Sequence, residues 1–187
     1  MPDIVEVIKE QHRRVDKLLS QAAEKDADTA GLLRQVAELL VPHSEAEEDF
    51  VYPAIRQKAS EAGEEVQDGV AEHHQVEEML RNLLRGEPGD PCYDGTLAAL
   101  TGELRHHVQE EEEELLPLLA EHSTADERDE MGRRFVAATT GGSAGPAEDH
   151  AKGHDPTKAE LYEEAKRQDV PGRSQMTKDE LARAVKE

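Results

Sequence analysis

The sequence contains no tryptophan, and aromatic residues make up only 3% of its 187 residues. A core with so few rings must be aliphatic, which favours packed helices of Leu, Val and Ala over a sheet sandwich. The single cysteine, Cys92, cannot form an internal disulfide. No run of about 18 apolar residues is present that would cross a membrane. We therefore expect a soluble helical protein in a reducing, cytoplasmic compartment, without membrane contact.

Positive charge is also scarce, because 22 Lys and Arg stand against 43 Asp and Glu, which gives a formal net charge of -21. From residue 150 to the C-terminus, eight basic residues balance eight acidic ones, so the excess of negative charge lies before residue 150. Such a body repels nucleic acid and anionic membranes. It attracts cations.

Apolar residues recur at steps of three and four along four segments between about residues 3 and 122, which is typical of amphipathic helices. The first segment carries Val5, Ile8, His12, Val15 and Leu19 on one face. The others span about 29–60, 64–85 and 93–121, and a short fifth helix is expected over 126–138. Short connections rich in Gly, Pro and Asp separate them. This pattern predicts an up-down-up-down four-helix bundle.

Histidine and glutamate enter these apolar stripes in duplicate. A His-x-x-x-Glu step occurs twice, and each histidine is followed at the tenth position by a proline, Pro53 or Pro117. A further histidine precedes each step in matching surroundings. Both the repeat and the helical phase select the same six residues and leave out His74 and His106. The six are His12, His43, Glu47, His73, His107 and Glu111.

Six polar side chains in one bundle core favour a metal site over ordinary buried polar residues, since an unpaired buried polar group costs about 1–3 kcal/mol. Imidazole and carboxylate four residues apart lie on one helix face. We assign His12 and His43 to one metal and His73 and His107 to the other. Glu47 and Glu111 would bridge them. Nitrogen and oxygen ligands without thiolate favour two iron ions, with manganese as the less favoured metal.

Two further acids repeat four residues after the isolated histidines, Asp16 after His12 and Glu77 after His73. They are candidates for additional ligands or for acceptors that orient an imidazole. Ordinary acids on a solvated helix face fit the same pattern. The sequence therefore leaves open whether Asp16 and Glu77 are ligands, orienting acceptors or surface residues.

Residues 1 to about 140 resemble the hemerythrin-like, or HHE cation-binding, family. The likeness is carried by Glu10-Gln11-His12, Glu72-His73, and the two His-x-x-x-Glu steps with their prolines. The resemblance implies a four-helix bundle around a non-haem di-iron centre. Oxygen-carrying hemerythrins have histidine at the position of Glu77, and their last carboxylate comes five residues after the final histidine, not four. That departure implies reactive-oxygen chemistry or sensing in preference to oxygen transport.

The C-terminal part is of a different kind. Residues 141–155 are rich in Gly, Ser, Ala and Pro, and this composition predicts a flexible linker between a 1–140 bundle and a 156–187 module. Two Thr-x-x-Glu capping boxes predict a pair of short helices. The segment resembles the Rho N-terminal or SAP-like module, which implies nucleic-acid binding. The candidate phosphate contacts are Lys158, Lys166, Arg167, Arg173 and Lys178.

The leading interpretation is a di-iron protein that binds or reduces a small oxidant, hydrogen peroxide or oxygen first and nitric oxide second, in oxidative-stress protection. A catalase-like or peroxide-reducing activity would make it an enzyme. The alternative is an oxygen, redox or iron sensor whose C-terminal module contacts nucleic acid or a partner protein. Iron storage is disfavoured, because one bundle offers two metal places and no cage.

Overall fold

The computed structural model describes residues 3–141 and, further along the chain, residues 161–162, 165, 168 and 176–185. The described regular structure is entirely helical. Its α-helices are α1 (Ile4–Ala22), α2 (Thr29–Ala46), α3 (Tyr52–Lys58), α4 (Gly63–Arg85), α5 (Tyr93–Glu110), α6 (Leu116–Glu121), α7 (Ala125–Gly141) and α8 (Lys178–Ala184). A short 3₁₀ turn spans Ser60–Ala62, and two π-helical segments span Glu47–Val51 and Glu111–Leu115. None of the described helices is both long and apolar enough to cross a membrane.

Aspartates begin the first two helices. The Asp3 carboxylate accepts a hydrogen bond from the Val5 amide at 3.0 Å, and the Asp28 carboxylate accepts one from the Gly31 amide at 2.9 Å. Each cap satisfies an amide that has no partner inside the helix. These caps fix where the stripes of α1 and α2 begin.

Each of the two π-helical segments lies just before a proline. Pro53 and Pro117 lack an amide donor, so the regular ladder of hydrogen bonds is interrupted just before each proline. The chain responds with a widened turn, in which the Tyr52 amide donates to Glu47 and the Leu116 amide donates to Glu111. Both widened turns therefore begin at the predicted glutamate ligands.

The helices of the N-terminal unit pack into a bundle. Helix α1 packs against α2, α4 packs against α5, and α2 also contacts α4. Helix α7 coincides with the expected fifth helix and lies against α1 and α2. Two separate apolar clusters fill the interior. One lies around Ile8, Ile55 and Leu116, and the other lies around Leu19 and Leu80. Their separation leaves room for a polar layer between them.

The chain divides into two compact units, residues 1–144 and 145–187. In the second unit, Leu161, Ala165 and Leu181 form a small apolar cluster. Lys178 opens α8 and is half-buried. The other predicted phosphate contacts, Lys158, Lys166, Arg167 and Arg173, lie outside the described residues, as do residues 142–155 of the predicted linker.

Candidate metal centre

The six predicted ligands form the polar layer between the two apolar clusters. On α1, His12 lies between Ile8 and Val15, both of which are buried. The same alternation recurs on α2, α4 and α5, because one stripe carries both the apolar residues and the ligands. All six side chains are buried, and the most exposed of them, His12, retains only 6% of its accessible surface.

The layer contains two groups of donors. In the first, His12 Nε2 lies 3.2 Å from His43 Nε2 and 3.2 Å from Glu111 Oε2. In the second, His73 Nε2 lies 3.0 Å from His107 Nε2. The ligand atoms of each group lie within 4.8 Å of one another, close enough to hold a single cation.

Glu47 belongs to both groups. One of its oxygens lies 3.0 Å from His43 Nε2, and the other lies 3.3 Å from His73 Nε2. The structure places Glu47 between the two groups, with one carboxylate oxygen beside each of them. It places Glu111, the second predicted bridge, with the first group, beside His12.

Each histidine is oriented by a hydrogen bond from its outer ring nitrogen, Nδ1. In the first group, His12 Nδ1 donates to Glu112 at 2.9 Å and His43 Nδ1 donates to Gln11 at 3.0 Å. These acceptors fix the tautomer, since an oxygen that accepts from Nδ1 requires the proton to be there. The inner nitrogen, Nε2, is left as a lone-pair donor that faces the centre.

The second group repeats this arrangement. His73 Nδ1 donates to Glu48 at 3.2 Å, and His107 Nδ1 donates to Glu72 at 2.9 Å. Glu48 and Glu112 both follow a predicted ligand glutamate directly, whereas Gln11 and Glu72 both precede an isolated histidine. The sequence repeat therefore contained a signal for these four acceptors, which sequence reasoning did not use.

The donor set fits a cation. The four carboxylate oxygens of Glu47 and Glu111 are buried, and apart from imidazole nitrogens 3.0–3.3 Å from three of them they have no polar partner among the described residues. Burying ionised carboxylates without compensation costs several kcal/mol each. Two cations between these oxygens and the four Nε2 lone pairs would satisfy every member of the layer. Imidazole with carboxylate, and no thiolate, suits iron or manganese.

Protons and a cation compete for the same inner nitrogens. Burial lowers the pKa of His12, but hydrogen bonds to Glu111 and Glu112 outweigh it and raise that pKa to about 9. At His73, burial is likewise outweighed by hydrogen bonds to Glu47 and Glu48, and the pKa rises to about 10. Without a metal, positive charge on these two rings therefore neutralises the buried carboxylates.

The structure gives the orienting contacts to residues other than Asp16 and Glu77. Asp16 is exposed and pairs with Arg105 at 2.6 Å on the surface. Glu77 is buried and lies 3.8 Å from Arg81. Burial, reinforced by the nearby Glu48 carboxylate, raises the pKa of Glu77 to about 7. Neither acid accepts a hydrogen bond from a histidine of the centre in the described structure.

Two features of the centre come from residues that the sequence analysis did not single out. The Tyr52 hydroxyl lies 3.4 Å from His73 Nε2, and burial raises the pKa of this phenol well above its usual value. Helix α7 supplies Phe135, whose ring meets His43 edge-on with centroids 5.4 Å apart. From the same helix, Thr139 accepts a hydrogen bond from Gln11, the residue that orients His43.

The neighbours excluded by helical phase lie outside this layer. The His106 side chain is 59% exposed and contacts Glu110 at 3.3 Å. His74 is only partly buried, and its Nε2 lies 3.9 Å from the Glu48 carboxylate. Periodicity therefore separated the buried histidines from their immediate sequence neighbours.

Removing one orienting acceptor should weaken metal binding. Glu48→Ala is expected to lower the affinity for Fe²⁺ by about 10–100-fold, because the His73 ring loses the acceptor that fixes it. Glu48→Gln should lose less, since an amide oxygen can still accept, as Gln11 does for His43. Anaerobic competition against a chelator gives the dissociation constants. The exposed Glu78→Ala is the control, and an equal loss in Glu48→Ala and Glu78→Ala would contradict the orienting role.

Comparison with known proteins agrees with this arrangement. Residues 3–119, which include all six buried residues, match the family model described as "Hemerythrin HHE cation binding domain". No solved structure gives a significant match.

Three relatives show the range of proteins that the chain resembles. An uncharacterised hemerythrin-like protein of Schizosaccharomyces pombe is 29% identical over 72% of this chain and 68% of its own length. A protein of Mycobacterium tuberculosis, also uncharacterised, is 32% identical over 51% of this chain and 57% of its own. A DNA nickase of Nostoc is 22% identical over 73% of this chain, which spans only 39% of that relative. Because the family model matches more than half of its length, the chain belongs to the hemerythrin HHE cation-binding domain family.

Proposed function

We propose that this chain is a non-haem di-iron protein that binds or reduces a small oxidant. Peroxide and oxygen are the favoured candidates, ahead of nitric oxide. One observation carries the proposal. Four imidazole nitrogens and the buried carboxylate oxygens of Glu47 and Glu111 converge in one layer. We further infer that the four long helices alternate in direction around this layer, and that the protein works in the cytoplasm.

The number of donors supports a reactive centre. Four imidazole nitrogens and two carboxylates supply at most eight donor atoms, whereas two octahedral ions would take about twelve. The remaining positions are available to water or to a small ligand. Two iron ions held there would supply electron exchange with an oxidant. A structural zinc site, in contrast, is closed by four protein ligands.

The residues around the layer provide the rest of the chemistry. The two apolar clusters border the centre on either side. The Nδ1 hydrogen bonds hold the imidazole rings in place, so little reorganisation is needed when a ligand binds. Tyr52 keeps its phenolic proton at neutral pH and holds it beside His73 Nε2, where it can donate to an incoming oxygen ligand.

Comparison with the oxygen carriers favours reactive-oxygen chemistry. In the resemblance to those proteins, Glu77 stands where they have histidine, and the last carboxylate lies one residue nearer to the final histidine. Glu77 is buried near His73, so its carboxyl group contributes to the surroundings of the centre. More carboxylate and fewer imidazoles favour oxidised iron, which weakens reversible oxygen binding.

Metal content and peroxide turnover test the proposal together. Protein purified from iron-replete cells should contain about two irons per chain and show near-ultraviolet charge-transfer absorption that azide perturbs. Added hydrogen peroxide should give oxygen, since two peroxides yield two waters and one dioxygen without an external reductant. Colourless, iron-free protein would overturn the di-iron centre. Iron-loaded protein that leaves peroxide intact would overturn the peroxide activity alone.

A regulatory role is the second candidate, favoured by the similarity to a protein named DNA nickase. The acidic bundle repels DNA, so contact would have to come from the C-terminal residues from 150 onward, whose charges balance. Oxidised and reduced protein should then differ in retention on DNA at low salt. Equal retention in both states would argue against a redox-controlled regulator.

A further inference from the structure

The two donor groups differ in how they are closed. On the side of His43, helix α7 covers the centre with Phe135, which is fully buried. On the side of His107, a cavity of about 180 Å³ lies between α4 and the segment formed by α5 and its π-helical continuation. The cavity is lined by both His107 and Glu111. It therefore connects the buried layer with the surface.

The wall of this cavity is acidic. Besides Glu111, five carboxylates line it, of which four are exposed and one is half-buried: Glu65, Asp68, Glu72, Glu110 and Glu114. Within residues 3–141, no lysine or arginine lies within salt-bridge distance of any of them. Their charged-group contacts are with histidine, at His106 and His107. A cavity with one sign of charge concentrates ions of the opposite sign.

Glu111 lies at the inner end of the cavity and belongs to the first donor group. Its side chain is 1% exposed. Its Oε2 lies 3.2 Å from His12 Nε2, whereas its Oε1 has no polar partner among the described residues. Gly69 is also in the wall, and a Cβ at that position would lie 3.1 Å from the Tyr52 hydroxyl. A cation that enters the cavity therefore meets a buried carboxylate oxygen without a partner, beside the candidate centre.

Two of the lining residues, Glu72 and Glu110, belong to a second group of ligand atoms that His106 completes. Glu72, His106 and Glu110 each place one such atom within 4.8 Å of the others, at partly exposed positions. Glu72 also accepts the hydrogen bond from His107 Nδ1 at 2.9 Å. The outer group thus adjoins the inner one through a single carboxylate.

We propose that this acidic cavity is the port through which a divalent cation, such as Fe²⁺, reaches the buried centre. Glu72, His106 and Glu110 are its first, transient binding site. The inference rests on the proposed metal centre. An entry port accelerates loading without changing how many ions the centre finally holds, because its carboxylates are not ligands of the loaded state.

Charge neutralisation at the cavity separates loading rate from capacity. The port variant carries Asp68→Asn, Glu110→Gln and Glu114→Gln, and keeps Glu72 because it orients His107. The matched control carries Glu24→Gln, Glu38→Gln and Glu78→Gln at exposed positions elsewhere, with the same change in net charge. Metal-free full-length protein is mixed anaerobically with Fe²⁺, quenched at intervals with a chelator of free iron, and assayed for bound iron.

At an ionic strength of ~0.01 M, the port variant should take up Fe²⁺ about 10-fold more slowly than the control and reach the same final content. At ~1 M the difference should shrink, since exposed charges are then screened. Equal rates with normal iron content would overturn the port and leave the di-iron centre standing. A lower final content in a folded port variant would also overturn it, because these carboxylates would then be ligands. Wild-type protein that takes up no iron would overturn the proposed centre and the port together.

Discussion

Glu47→Ala should abolish iron binding at both donor groups, whereas Glu111→Ala should leave about half of the iron in place. The reason is the different reach of the two carboxylates. Glu47 lies 3.0 Å from His43 and 3.3 Å from His73, so its removal takes a ligand from each group. Glu111 belongs to the group of His12 and His43. Iron analysis of the two purified variants, side by side with wild type, gives the comparison.

Wild-type protein and Glu47→Ala should also differ in how much added iron raises their thermal stability. A ligand present at about a thousand times its dissociation constant stabilises the folded state by about 4 kcal/mol. Wild-type protein should therefore melt several degrees higher with Fe²⁺ under anaerobic conditions, and Glu47→Ala should show no such shift. Metal-free circular dichroism spectra control for folding. Two irons retained by folded Glu47→Ala would rule out its position as the shared ligand.

His73→Ala should lose iron, and His74→Ala should retain it. The two histidines are adjacent in sequence, but α4 turns about 100° between them. His73 is 2% exposed and faces His107 and Glu47, whereas His74 is partly exposed at the edge of the bundle. Removal of His73 takes one of the two imidazoles from its group, together with the ring nitrogen that donates to Glu48.

Because both substitutions replace the same side chain in one helix, differences in helix propensity cancel. Bound iron and near-ultraviolet absorption are measured for each variant after anaerobic loading. If both lose iron equally, or if only His74→Ala loses it, the helical register of the centre is wrong.

The helices were predictable from sequence because their signal is local. In α1, the spacing of Ile8, His12, Val15 and Leu19 already fixes one buried face, and the structure buries all four. The duplicated His-x-x-x-Glu step likewise placed His43 and Glu47 on one face of their helix. Pro53 and Pro117 each remove an amide donor from a helix, but the sequence does not specify that the result is a π-helical turn.

The hydrogen bonds that orient the histidines were harder to predict from sequence, although their acceptors occupy repeated positions. Gln11 and His43 are 32 residues apart, and Glu112 and His12 are 100 apart. Asp16 had the right offset along its own helix, but it faces solvent and pairs with Arg105. The predicted acceptors lay one turn along the same helix as their histidines, whereas the observed acceptors come from neighbouring helices.

The sequence by itself determined the helical class, the buried stripes and the six histidine and glutamate residues within them, because a period of 3.6 residues fixes which side chains share a face. Tertiary structure decided that Glu47 serves both groups, that α7 covers His43, and that an acidic cavity opens beside His107. These properties depend on how each helix is rotated and shifted against its neighbours. That arrangement is set by packing of the two apolar clusters, which no local pattern records.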